Sequence, residues 1–351
     1  MVMRLSAMGD VAMTVPVIAS FLRAYPEMGV IMLSTPRLSS LFEGMERVTF
    51  FPVDTKKTYK GVSGMVKLFR KIKRDYSFEK MIDLHDVIRS KELRLMVRMS
   101  GKKAYVIDKG RAEKRMLVSP QQKEKRQLKS SFQRYLDVFE AAGYPFSIDF
   151  SGLMSKDAPL PEKITREIGS GALHRLAIAP FAQHVGKILP LEKTEQVVAH
   201  YAGRGDTQIL LFGGGKAETD VFDAWTGKYP NTLSVAGKFT LLEEIQVLNH
   251  CDALLSMDSA NMHLASLVNT PVVSIWGATH PYAGFYGYGQ DPSDAVQLDM
   301  PCRPCSIYGK KPCATNNYAC LNGISIDLII NKIDKHLEKK DSGRQKKLLT
   351  I

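Results

Sequence analysis

At 351 residues, 44% of them hydrophobic and 24% charged, the chain has a globular composition and more length than one hydrophobic core usually takes, so two domains are expected. No stretch approaches the roughly 18 uninterrupted apolar residues of a membrane span, and no charged-then-apolar secretion signal precedes Ser6, so the chain is expected in the cytoplasm. The formal charge of +12 crowds into 56–74, 102–134 and the last dozen residues while 190–300 is near balance, which places a positive field suited to a polyanionic partner in the first half.

In chain order, strands are predicted at 2–6, 30–35, 48–53, 80–86 and 104–108, with helices near 11–24, 61–75, 88–99 and 129–142. A weakly patterned, Pro-bearing segment follows. The alternation then resumes with strands at 176–181, 207–213, 232–237, 253–258 and 271–277 and helices near 191–203, 215–227, 240–249 and 260–268. Such alternation predicts two doubly wound α/β domains, which bind ligands at the carboxyl ends of their strands. The expected division is 1–155, a linker at 156–170, a second domain at 171–323, a terminal helix at 324–339 and a disordered basic tail at 340–351.

The motifs follow predicted strands. In "MRLSAMGDVAMTVPV" (3–17) a strand enters a Gly turn and a helix whose first N–H groups lack partners. Gly9 tolerates a positive φ or a close approach, and Asp10 either caps a helix beginning near Val11 or faces a ligand. In "IAPFAQHVGKILPLEK" (178–193), Lys187 is placed to meet phosphate charge or to sit solvated. "LLFGGGKAETD" (210–220) offers a glycine turn and Glu218 for ribose hydroxyls, without the dinucleotide spacing. "LLSMDSANMHLASLVNTPVVSIWG" (254–277) ends one strand in Asp258-Ser259 and opens a helix at Ala260, with His263 close behind. That helix start favours a diphosphate, and Asp258 could accept from sugar hydroxyls or simply cap the helix.

"PCRPCSIYGKKPCATNNYAC" (301–320) spaces four cysteines as C-x2-C-x7-C-x6-C, so Cys302, Cys305, Cys313 and Cys320 are candidate ligands of a structural zinc. A nucleic-acid partner is not expected. The basic segments offer only Tyr59, Phe69, Tyr76, Phe132 and Tyr135, several on apolar helical faces, where a single-strand binder would expose its rings.

Together these passages resemble the ADP-heptose:lipopolysaccharide heptosyltransferases of glycosyltransferase family 9 over residues 3 to about 330. The resemblance rests on "RLSAMGDVAMTVPV", "MIDLHDVIRS" (81–90), "GKILP", the 256–277 block and the cysteine loop before "LNGIS". It implies a GT-B fold, two Rossmann-like domains facing across a cleft, with acceptor on the first, donor on the second, and the terminal helix crossing back to the first. It implies an inverting transferase that moves heptose from ADP-heptose to a hydroxyl of the lipopolysaccharide inner core or a related glycolipid, with Asp10 as general base and no cofactor required. Lys187, Glu218, Asp258, Ser259, Ala260 and His263 would bind the donor, Ala260 standing where the family has glycine. Ser6, Met8, Gly9, Lys56, Lys57 and Lys60 would meet an anionic acceptor of the lipid A–Kdo type, at peripheral contact with the anionic cytoplasmic face of the inner membrane. The alternatives are another nucleotide-sugar donor, such as a UDP-sugar, or a sugar-nucleotide-binding protein without catalysis.

Overall fold

The computed structural model describes the backbone of residues 1–348 and the side chains of residues 1–340. The chain forms two units, each built on a parallel sheet. The first comprises Met1–Arg111 and Lys129–Ser151. Its strands are β1 (Val2–Met3), β2 (Val30–Ser34), β3 (Val48–Pro52), β4 (Lys80–Asp83) and β5 (Lys103–Val106), ordered β3-β2-β1-β4-β5. β1 pairs on both sides, Val2 opposite Met32 and Ile82, and is buried, as a central parallel strand covered on both faces must be.

Five helices belong to this unit, α1 (Met8–Ala12), α2 (Thr14–Ala24), α3 (Gly61–Asp75), α4 (Ile88–Met99) and α6 (Ser131–Ala141), while α5 (Arg111–Leu117) leads out of it. The single helix predicted at 11–24 is two. Pro16 has no N–H to give the Ala12 carbonyl, so it is accommodated in the first turn of a new helix rather than the interior of an old one. α1 therefore starts earlier, at Met8, and Asp10 is its third residue, reaching back to accept from Ala7 N at 3.2 Å. Gly9 is helical and buried there, with no positive φ.

The second unit comprises Ala112–Leu128 and the chain from Gly152 onward. The sequence gives no sign of the first piece. Leu117 and Leu128 pack with Ala283, Leu128 N donates to Tyr282 O at 2.9 Å, and Lys125 pairs with Asp299. The expected linker likewise holds α7 (Glu162–Ile168), and Lys156 is tied to Asn249 O at 3.0 Å and Thr270 Oγ1 at 2.9 Å.

The second sheet has six strands: β6 (His174–Ala179), β7 (Thr207–Leu211), β8 (Thr232–Ser234), β9 (Ala253–Met257), β10 (Val272–Ile275) and β11 (Ala295–Val296). Their order is β11-β10-β9-β6-β7-β8, all parallel. α8 (Leu191–Arg204), α9 (Lys216–Lys228), α10 (Leu241–Asn249), α11 (Ala260–Ser266), α12 (Ala319–Asn322) and α13 (Ile326–Leu348) complete the unit. Ile329, Ile333 and Leu337, four apart on one face of α13, are buried in the same core as Val197 and Tyr201, and the Tyr201 hydroxyl donates to Asp334 Oδ1 at 2.9 Å. Where a disordered tail was expected from 340, α13 continues to Leu348; residues 349–351 of that expected tail lie outside the described residues. Among the described residues no helix is long and apolar enough to cross a membrane.

Candidate functional site

In the first sheet, chain connections leave β1 toward β2 on one side and β4 lies on the other, so the carboxyl ends of β1 and β4 form the switch point where doubly wound sheets take ligands. The predicted turn emerges there. Arg4, buried, donates through Nη1 to Leu84 O at 2.6 Å and pairs through Nη2 with Asp10 Oδ2 at 2.5 Å. Leu5 N donates to His85 Nδ1 at 3.4 Å, and Ser6 Oγ lies 3.5 Å from His85 Nε2. Burial, followed by the Arg4 and Lys109 cations, pushes the His85 imidazole down to about 3, so the ring is neutral at neutral pH and its Nδ1 is free to accept. The buried Tyr135 hydroxyl, pushed up by burial, donates to Asp10 O at 3.2 Å.

The turn after β4 is built in the same way. Asp83 Oδ1 accepts from His85 N at 2.9 Å and Asp86 N at 3.0 Å, while Arg94 holds Asp83 Oδ2 at 2.9 Å. Arg111 reaches Asp86 at 2.8 Å, and Lys109 donates to Asp86 O at 3.2 Å. Arg94, Arg111 and Lys109 thus brace Asp83 and Asp86 after β4, while Arg4 holds Asp10, a half-buried carboxylate still reachable from solvent. Arg4 and His85 lie within the quoted motifs and Tyr135 among the aromatics of the basic segments, but no local signal brings them to Asp10, the tyrosine being 125 residues from its partner.

Ser6 lies just before α1, and Met8 and Gly9 precede Asp10 within its first turn rather than in a turn ahead of it. Lys56, Lys57 and Lys60 are exposed in the loop after β3, with β2 between that strand and β1, and the Lys56 and Lys57 backbone N–H groups donate to Asp54 Oδ1 at 2.9 and 3.0 Å.

In the second sheet the switch lies between β6 and β9. Lys187, at the end of a 3-10 turn (Val185–Lys187) after β6, pairs with Asp258 Oδ2 at 2.9 Å, Asp258 standing just past β9. Glycines make the crossing possible. A Cβ on Gly277 would meet Gly186 O at 2.6 Å, and Gly309, with φ +78°, lets the Lys187 stem lie against it. Ser259 precedes α11 with its Oγ 3.2 Å from Ser256 Oγ, Ala260 opens the helix, and His263 is buried one turn on. Glu218, in the first turn of α9, accepts from Gly214 N at 2.8 Å.

The zinc expectation is corrected. Among the described residues no group of three or more His, Cys, Asp or Glu side chains is placed to hold a metal ion. Cys302 is exposed, Cys305 and Cys313 are half-buried, Cys320 sits in the apolar core, and all four are free thiols. The organising residue lies between the first two: Arg303, buried, donates to Gly277 O at 2.5 Å, to Trp276 O and Thr279 O at 2.9 Å, to Gln297 Oε1 at 3.1 Å and to Leu298 O. It satisfies the carbonyls of the turn after β10, and Cys305 N adds a bond to Ala278 O at 3.0 Å.

Two parallel-sheet α/β units of this topology have the architecture of GT-B heptosyltransferases. The structure resembles that of a glycosyl transferase family 9 protein of Veillonella parvula with a TM-score of 0.75, at 20% identity over 96% of each chain. It also resembles the Escherichia coli ADP-heptose lps heptosyltransferase II with a TM-score of 0.69, at 15% identity over 97% of this chain and 98% of that one. At such identities the likeness is one of fold. The chain belongs to glycosyltransferase family 9 (heptosyltransferase), whose sequence profile matches residues 65–316. It is also similar to lipooligosaccharide heptosyltransferase 2 of Campylobacter jejuni, 25% identical over 132 residues, a match that spans 36% of this chain and 40% of that relative.

Proposed function

We propose that the chain transfers heptose from ADP-heptose to a hydroxyl of the lipopolysaccharide inner core with inversion at the anomeric carbon. The acceptor oxygen attacks that carbon, the bond to the diphosphate breaks, ADP leaves, and the acceptor proton passes to Asp10. The observation that carries this reading is the Arg4–Asp10 pair at the switch point of the first sheet: a base for an alcohol must be held in place and reachable, and a buried guanidinium at 2.5 Å fixes a half-buried carboxylate there. Lys187 would meet the diphosphate and exchange Asp258 for it, with Asp258, Ser259, Ala260 and His263 lining the donor and Glu218 the ribose. Proton transfer and displacement need a carboxylate and a cation, so the reading calls for no cofactor.

The acceptor side would be anionic, of the lipid A–Kdo type, because Arg89, Lys109 and Arg111 follow β4 and β5 beside the Asp10 turn, with Lys56, Lys57 and Lys60 further out on the same unit. The chain would work peripherally at the cytoplasmic face of the inner membrane. The test is turnover of ADP-heptose, with ADP release coupled one to one to glycosylation of a water-soluble, deacylated inner-core acceptor. Transfer from a UDP-sugar in preference would keep the fold and change the donor; ADP binding with no transfer to any core acceptor would refute the catalytic reading.

A further inference from the structure

Helix α4 is apolar on two opposite sides. Leu93 and Val97 are buried toward the sheet. At 3.6 residues per turn, Ile88, Leu95 and Met99 fall within about 40° of one another on the side facing away, along about 16 Å of axis. Their exposures are 75%, 60% and 79%. A surface helix ordinarily carries charged and polar residues there. Val62, at the start of the neighbouring α3, is exposed in the same way.

The surroundings of this stripe are basic. Lys91 and Arg98 flank it on one side and Arg89 on the other, all exposed, and α3 adds exposed Lys67, Arg70 and Lys73. Together, 56–75 and 88–103 hold fourteen Lys and Arg against two acids, Asp75 and Glu92. Apolar side chains on a convex helix, rimmed by long basic ones, are the makeup of a segment lying in the plane of a lipid interface, the apolar tips at headgroup depth and the cations on lipid phosphates. A protein partner would ask for a larger apolar patch or a pocket.

We infer that the outer face of α3 and α4 docks the first unit on an anionic lipid bilayer through Ile88, Leu95 and Met99. The inference deepens the proposed function, on which it rests for the lipid-anchored acceptor, by assigning the surface that meets the membrane. The charge complementarity is sequence-wide over both helices, whereas the apolar contribution is confined to residues whose removal disturbs no core contact.

The experiment is co-sedimentation of the full chain with vesicles of pure phosphatidylcholine and of phosphatidylcholine with 30% phosphatidylglycerol (about physiological salt), alongside the Leu95→Ser/Met99→Ser variant. The expected result is at least tenfold stronger partitioning onto the anionic vesicles, and about a tenfold loss of it in the variant, whose ADP affinity and turnover of a deacylated acceptor stay at the parent level. Failure of the parent chain to bind anionic vesicles overturns the inference, as does equal binding by the variant, which would leave the basic field alone responsible. A parent chain that binds vesicles by this face and yet transfers no heptose to the soluble acceptor would refute the proposed function and leave the docking surface standing.

Discussion

Lys187 Nζ lies 2.9 Å from Asp258 Oδ2, the two side chains arriving from the ends of adjacent strands on either side of the crossover in the second sheet. A cation so held keeps a fixed position past the end of β6.

If Lys187 meets the donor diphosphate, Lys187→Ala should weaken ADP binding by about tenfold or more, the loss of one charge-assisted contact. Calorimetric titration with ADP and UDP checks both affinity and base preference. Unchanged ADP affinity would remove Lys187 from the donor site.

Asp10→Asn should lower turnover by about 10²–10⁴-fold, the range for loss of a general base, while ADP affinity in the second unit stays within a few-fold. Arg4→Ala should act differently. Without its cation a carboxylate holds its proton more tightly, so the acid limb of the rate profile should move to higher pH. A uniform loss of rate with an unmoved profile would make Arg4 a structural residue only.

At the first site the sequence made legible the consecutive order strand, Ser6, Gly9, Asp10, but not the helix start, since α1 begins at Met8 and takes in Gly9 and Asp10. What holds Asp10 was not legible either. Arg4 reads as an interior residue of the strand predicted at 2–6, and His85 and Tyr135 join it only through sheet order and the return of α6. The cysteine loop misled for the opposite reason. Its four thiols have a ligand-like spacing, whereas the single arginine between two of them carries five acceptor contacts that no spacing rule announces.

Arg303→Met should therefore destabilise the second unit by about 2–5 kcal/mol, since several buried carbonyls lose their donor at once. Urea unfolding reads the loss. Replacing Cys302 by Ser, an exposed position, should cost within about 0.5 kcal/mol; a cost as large as that of Arg303 would reverse their assignment.

The same loop predicts a reactivity order. Hydrogen bonds from Thr315 and neighbouring backbone groups bring the Cys313 thiol down to about 7, while burial pushes Cys251 up to about 12. At pH 7.5, iodoacetamide should modify Cys313 first and leave Cys251 untouched in the folded chain, as peptide mass analysis would show. Equal labelling would contradict the described loop.

Stability should depend on pH in two opposed ways. His85, held neutral with a folded value of about 3 against 6.5, makes stability fall as pH drops from about 6.5 toward 3, because the unfolded chain then binds the extra proton. Glu244, raised by burial to about 7 from 4.5, makes stability fall as pH rises between those values, because the folded chain holds the proton longer. Each contribution is on the order of a few kcal/mol. His85→Gln should flatten the acid slope and Glu244→Gln the neutral one, in melting temperatures measured from pH 4 to 8; parallel curves for parent and variants would refute both.

The excursion of Ala112–Leu128 into the second unit bears on the order in which the chain is made. Leu117 and Leu128 leave the ribosome about 155–168 residues before Ala283 and Phe285, the side chains that cover them, so at about 5–20 residues per second they wait roughly eight seconds or more without a partner. The first unit can close around Lys129–Ser151 during that interval, but only by leaving a loop with two apolar anchors hanging from it. Nascent chains halted before residue 283 should accordingly be the ones that bind holdase chaperones most tightly.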